Sequence, residues 1–249
     1  MLYSIVSQTT AFILLVLVVY IVAEMIRLRL HFRAGRNLAK ASAPFGVHRE
    51  NAKLNILIVG DSTAVGTGAY NPENTVAGRL VNKFSNINVT NLGKNGTTTA
   101  SLLDTLLSLD VTLTYDVMII NVGGNDAVFL SPLDEVAVKI EDVLYEAKKR
   151  ARKVFLWTGG NAGSLPAIPL IARWYFERRS RIVRGYFGAA AKKCGVVFID
   201  LFRERKLDPI RQHPERYIAK DHFHPNDEGY SLWYDELLKE FKAHNIELS

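Results

Sequence analysis

Residues 54–62 read Leu54-Asn55-Ile56-Leu57-Ile58-Val59-Gly60-Asp61-Ser62. A short, almost continuously apolar run, rich in β-branched side chains and stopped by a glycine, is the pattern of a strand buried on both faces of a parallel sheet. Four more runs of this kind follow, at residues 87–92, 116–122, 154–158 and 195–201. Between and after them the apolar spacing changes to that of helices, at 75–84, 100–109, 132–150, 171–193 and 227–244. Ser131 is placed to cap the third of these helices and Asn226 the last. Strands alternating with helices imply a parallel sheet covered on both sides, an α/β three-layer sandwich. Ligands in such folds bind outside the carboxyl ends of the strands.

Two chemically distinctive words fall at those ends: Gly60-Asp61-Ser62, and Gly123-Gly124-Asn125-Asp126 after the third strand. A third, Asp221-His222-Phe223-His224-Pro225, lies in the loop before the last helix. A serine hydroxyl is a weak nucleophile at neutral pH and needs an adjacent base, itself oriented by a third group. Ser62 after a strand, with backbone N–H groups aimed at its hydroxyl, suits the nucleophile; the plain alternative is a helix N-cap. His224 suits the base, and Asp221, three residues earlier, can reach its ring nitrogen. Asn125 can offer an amide N–H to an oxyanion, or can simply be an Asx-turn residue. In Asn91-Leu92-Gly93-Lys94-Asn95-Gly96-Thr97, Gly93 reads as a turn glycine, while a Gly96 N–H can approach a reacting carbonyl. Asp61 and Asp126 read as supports of their turns, and His213 and His222 as surface histidines.

Two rival chemistries are weaker. His222-x-His224 beside Asp221 has metal-ligand spacing, and a metal-dependent phosphoesterase would add Asp61 and Asp126. The Asp-x-His that dinuclear phosphoesterases place after their first strand is absent. Gly66-x-Gly68 lacks the Walker lysine and the third glycine of a dinucleotide site.

Together the words resemble the SGNH (GDSL-type) hydrolase superfamily over roughly residues 54–238. Its marker residues would be Ser62, Gly96, Asn125 and His224, with Asp221 completing a triad. The resemblance implies a flavodoxin-like fold with a five-stranded parallel sheet, no metal or other cofactor, and hydrolysis of esters, thioesters or amides. It implies catalysis by Ser62, His224 and Asp221, and an oxyanion hole made by Ser62, Gly96 and Asn125. Small residues are more usual than His222-Phe223 between the Asp and the His, and the stretch around Gly96 matches loosely.

The 249-residue length suits a single domain with a sizeable core. One cysteine, Cys194, excludes an intramolecular disulfide and reads as a small buried side chain at a helix end. The net charge of +6 is clustered, at Arg27, Arg29, Arg33, Arg36 and Lys40, at residues 148–153, and between Arg173 and Lys193. No nucleic-acid-binding signature accompanies these cations, and attraction to an anionic membrane explains them. Residues 1–23 carry no charged side chain, and 11–23 read AFILLVLVVYIVA, approaching the roughly 20 residues that span a bilayer as helix. A basic n-region and a small-x-small cleavage site are both missing, which favours an uncleaved anchor over a signal peptide. The flanking cations place the C-terminal domain on the cytoplasmic side, the periplasmic or extracytoplasmic side being the alternative. The expected organisation is therefore an anchor at 1–26, a juxtamembrane helix end and linker at 27–52, and a hydrolase domain at 53–249.

Residues 161–171, NAGSLPAIPLI, follow the fourth strand and are placed to line or cover the site. Trp174, Tyr175 and Phe176 precede Arg178, Arg179, Arg181 and Arg184, which form either a solvated face or a surface for anionic lipid. With the anchor, these features favour a lipid or other long-chain acyl ester as substrate. A carbohydrate O-deacetylase and a non-catalytic, membrane-tethered scaffold of the same fold remain the alternatives.

Overall fold

The computed structural model describes residues 2–110 and 114–246. Strands β1 (Leu54–Gly60), β2 (Ile87–Asn91), β3 (Tyr115–Asn121), β4 (Ala151–Trp157) and β5 (Val197–Ile199) form one parallel sheet, ordered β2-β1-β3-β4-β5. This is the flavodoxin-like order, whose switch point lies between β1 and β3. Register fixes what gathers there: Gly60 pairs with Asn121 and Asn121 with Trp157, so β1, β3 and β4 end level with one another.

Period-two alternation in the buried strands supplies two cores at once. Leu57, Val59, Met118, Ile120 and Leu156 face one side. They pack there against α4 (Thr99–Ser108), α6 (Leu133–Arg150) and α7 (Arg173–Cys194). Ile56, Ile58, Val117, Ile119, Phe155 and Trp157 face the other side. That side is covered by α3 (Val76–Lys83) and α10 (Asp227–Ala243). Short helices α2 (Ser62–Val65), α5 (Gly124–Val128), α8 (Pro209–Gln212) and α9 (Pro214–Tyr217) lie in the loops.

Several boundaries differ from expectation for local reasons. Ser131 does not cap α6. Pro132 holds the cap position without a side-chain bond, and the Ser131 carbonyl instead accepts from the Arg179 guanidinium. A 3-10 turn, Leu170–Ala172, delays α7 to Arg173. Edge strand β5 is short, because Gly195 still closes α7 in a left-handed cap. Asn226 caps α10 as expected, its Oδ1 accepting from the N–H groups of Glu228 and Gly229.

The N-terminus is a single helix, α1 (Leu2–Ala41). Its stretch Gln8–Ala41 is long and apolar enough to cross a membrane, and Phe12, Leu15, Val19 and Ile26 on it are exposed. The helix stops where Ser42-Ala43-Pro44 brings breaker composition.

Candidate active site

The turn after β1 is shaped by close backbone approach. A Cβ on Gly60 would stand 1.9 Å from the Asn121 carbonyl oxygen, and its φ of +141° lies where side chains are rarely tolerated. The chain passes β3 there and starts α2 at Ser62. Asp61 caps this short helix, its Oδ1 accepting from the Thr63 N–H at 2.9 Å and the Thr63 hydroxyl at 2.6 Å. Burial pushes the Asp61 carboxyl up to about 6, against the hydrogen bonds from Thr63.

The Asp221 loop meets this turn from the far end of the chain. The Asp221 Oδ1 accepts from the backbone N–H groups of Phe223 at 3.1 Å and His224 at 3.0 Å. Its Oδ2 lies 2.5 Å from Nδ1 of His224. The other ring nitrogen, Nε2, lies 2.9 Å from the Ser62 Oγ, across 162 residues of sequence. Asp221 is 1% exposed, so this row of polar atoms is shielded from bulk water at its carboxylate end. Burial raises the Asp221 carboxyl, but the His224 ring and the backbone N–H groups outweigh it and hold the group below its usual range.

The loop after β3 supplies the third part. Asn125 is buried in α5, and its Nδ2 donates to the Thr97 carbonyl at 2.9 Å, which fixes the amide plane and leaves its second hydrogen to point elsewhere. Asp126 faces away, accepting from the Thr99 N–H and hydroxyl. Gly93 donates to Asn91 Oδ1 within its turn. Gly96 has a φ of +81°, and with Ser62, Asn125, Asp221 and His224 it lines one cavity of about 330 Å³. A larger cleft of about 750 Å³, beside Gly68 and Asp227, lies away from Ser62. There the Asp227 carboxylate is already occupied by the Tyr70 N–H and Asn74.

His222 is exposed, as is His213. The His222 ring packs edge-on against His31, with centroids 4.6 Å apart. Among the described residues, no three His, Cys, Asp or Glu side chains are grouped to hold a metal ion. Cys194 is half-buried at the end of α7.

One part of the cavity was missed in the sequence. Leu28, Phe32, Gly35 and Ala39 of α1 line it together with Ser62. Glu24, Arg27, Leu28, His31, Ala34, Gly35, Leu38, Ala39 and Ser42 are the half-buried positions of this stretch, at helical three- and four-residue spacing. The segment 161–171 also reaches the cavity, through Ala167 and Ile168.

Residues 58–232 match the GDSL-like Lipase/Acylhydrolase family, and the chain belongs to that family. It is 28% identical over 208 residues to the GDSL-like esterase Rv1075c of Mycobacterium tuberculosis. That match takes in 80% of this chain and 63% of the relative's length. Among solved structures, it resembles a lipolytic protein of the G-D-S-L family from Veillonella parvula. The TM-score is 0.63 at 19% identity, covering 76% of this chain and 98% of the other. It also resembles the acetylxylan esterase Axe2 of Geobacillus stearothermophilus. There the TM-score is 0.58 at 18% identity, covering 78% of this chain and 96% of the other. The chain thus has an SGNH-type fold, and its match spans about three-fifths of the length of the curated Mycobacterium tuberculosis relative.

Proposed function

We propose that this member of the GDSL-like Lipase/Acylhydrolase family is a membrane-anchored serine esterase that works through a Ser62–His224–Asp221 triad and an acyl-enzyme. The observation that carries the reading is the unbroken row from Asp221 Oδ2 to His224 Nδ1 at 2.5 Å, and from His224 Nε2 to Ser62 Oγ at 2.9 Å. An ionised Asp221 only accepts, so Nδ1 donates to it and Nε2 of the neutral ring accepts from the Ser62 hydroxyl.

The steps follow from that tautomer. Ser62 Oγ bonds to the ester carbonyl carbon as its proton passes to His224 Nε2. The oxyanion is held by the N–H groups of Ser62 and Gly96 and by Asn125 Nδ2. The carbon–oxygen bond to the alcohol breaks, and the alcohol leaves with the proton from Nε2. Water then gives a proton to His224, attacks the acyl carbon and releases the acid, and Ser62 recovers its proton.

The acyl group we assign is a long apolar chain, supported by the mostly apolar lining of the 330 Å³ cavity. A carbohydrate O-acetyl ester is the rival, since the structural relative Axe2 is an acetylxylan esterase. We assign the anchor to residues 1–26, the juxtamembrane stretch to 27–52 and the hydrolase domain to 53–249, with that domain on the cytoplasmic side of the membrane, where the five cations from Arg27 to Lys40 favour it. Active alkaline phosphatase fused after residue 249 in cells would contradict that sidedness.

The test of the reaction is hydrolysis of p-nitrophenyl esters by the full chain in detergent micelles. The Ser62→Ala variant is expected to fall to background, and full activity in it would overturn the nucleophile assignment.

A further inference from the structure

Part of the cavity that Ser62 lines comes from the helix that carries the apolar N-terminal run. Before Glu24, α1 is exposed on nearly every side, from Gln8 to Val22. From Glu24 to Ser42 it shows one half-buried stripe, the mark of a helix lying on a surface. It is fastened at both ends of that stretch. Arg27 donates to the carbonyls of Pro166 at 2.8 Å and Ala167 at 3.3 Å. Asn95 donates to the Ala39 carbonyl at 3.3 Å, and the Ser42 and Thr67 hydroxyls lie 2.9 Å apart.

Between those fastenings the helix crosses the triad. A Cβ added to Gly35 would stand 3.2 Å from the Asp221 Oδ2, a separation already tight for a carbon atom. Leu28, Phe32, Gly35 and Ala39 form one row along the cavity, whose lining also takes in His31 and Arg36 of the same helix. At about 1.5 Å of rise per residue the row is about 16 Å long. It runs from the reacting end, where Ala39 is bonded to Asn95 beside Gly96, to Leu28, just beyond the uncharged run that ends at Ala23. A cavity of 330 Å³ sits at the low end of the ~300–1,000 Å³ usual for small-molecule sites, which suits one chain better than a glycan.

We infer that α1 selects the substrate: the row from Leu28 to Ala39 is one wall of the acyl pocket, and the substrate is a bilayer-resident ester whose acyl chain lies along α1 from the membrane end to Ser62. This rests on the serine-esterase reading above. Such a chain moves from lipid to cavity without its methylenes crossing water.

The experiment measures kcat/KM of the full chain in mixed micelles for acetyl, octanoyl and hexadecanoyl p-nitrophenyl esters. Leu28→Trp fills the membrane end of the row, and Phe32→Ala removes a contact from an exposed position that holds little of the fold together. Each is expected to lower the hexadecanoyl-to-acetyl ratio at least about tenfold, in keeping with the 10- to 200-fold that single methylene contacts supply in apolar pockets. An unchanged ratio in both variants overturns the inference. The two readings fail separately: acetyl hydrolysis that survives Ser62→Ala defeats the esterase reading, whereas acetyl hydrolysis abolished by it, with the ratio unmoved, defeats only the role of α1.

Discussion

Arg27 donates to the carbonyl oxygen of Pro166 at 2.8 Å, tying the N-terminal helix to a loop 139 residues later. The same loop reaches the segment from Asp221 to His224, because the Ala167 N–H donates to the His222 carbonyl at 3.0 Å. Helix, loop and the turn holding His224 are thus joined through two adjacent residues.

Replacing Arg27 by Ala should loosen that joint. Hydrogen bonds from a charged donor are worth about 1.5–3 kcal/mol when shielded, and the one-third exposure of Arg27 reduces this to roughly 1 kcal/mol. Amide exchange at Ala167 is then expected to quicken several-fold by hydrogen–deuterium exchange. Arg27→Lys should recover only part of the protection, since an ammonium lacks the fork that holds two carbonyls. Exchange equal to that of the parent would show that the clamp is unimportant.

Asn125→Ala should reduce turnover by about 10²–10³ while leaving it measurable, the usual effect of losing one oxyanion donor. Its Nδ2 bond to Thr97 means that some stability will also be lost, so kcat is read on protein whose fold is checked by circular dichroism. A wild-type kcat would remove Asn125 from the oxyanion hole.

Asp61 and Asp221 should shape stability against pH with opposite signs. With a folded value of about 6 against an ordinary 3.8, Asp61 keeps a proton that the unfolded chain has released. Stability therefore falls as pH rises from about 4 to about 6, by about 3 kcal/mol at 1.36 kcal/mol per pH unit. Asp221 is held low, so its contribution is present above the ordinary carboxyl range and lost as pH falls below it. Asp61→Asn keeps an acceptor for Thr63 and removes the charge. It is expected to raise Tm at pH 7.5 and leave it nearly unchanged at pH 4. An equal shift at both values would contradict the burial of the charge.

The fold was legible because its strands are buried on both faces. Residues 54–59 and 116–122 carry enough aliphatic side chains in a row that no helix or solvated strand fits them. The contact between Asp221 and His224 was legible from three-residue spacing and a following proline. The approach of His224 to Ser62 was not, since no local rule joins residues 162 apart; only the order of the motifs, set against a known family, suggested it. Ser131 misled because a serine just before a helix start looks like a cap, whereas Pro132 takes the cap position and offers no side-chain acceptor. The wall built by α1 was hidden by composition. Arg29, Arg33 and Arg36 stand among Leu28, Phe32 and Gly35, and Arg36 itself lines the cavity, so the stretch read as a charged juxtamembrane segment.

The central claim is that His224 and Asp221 activate Ser62. Treatment of the full chain with a fluorophosphonate probe, followed by peptide mass spectrometry, tests it most directly. A single adduct on Ser62 is expected, absent in Ser62→Ala and formed far more slowly in His224→Ala. An unlabelled protein, or labelling that persists in Ser62→Ala, would contradict the account.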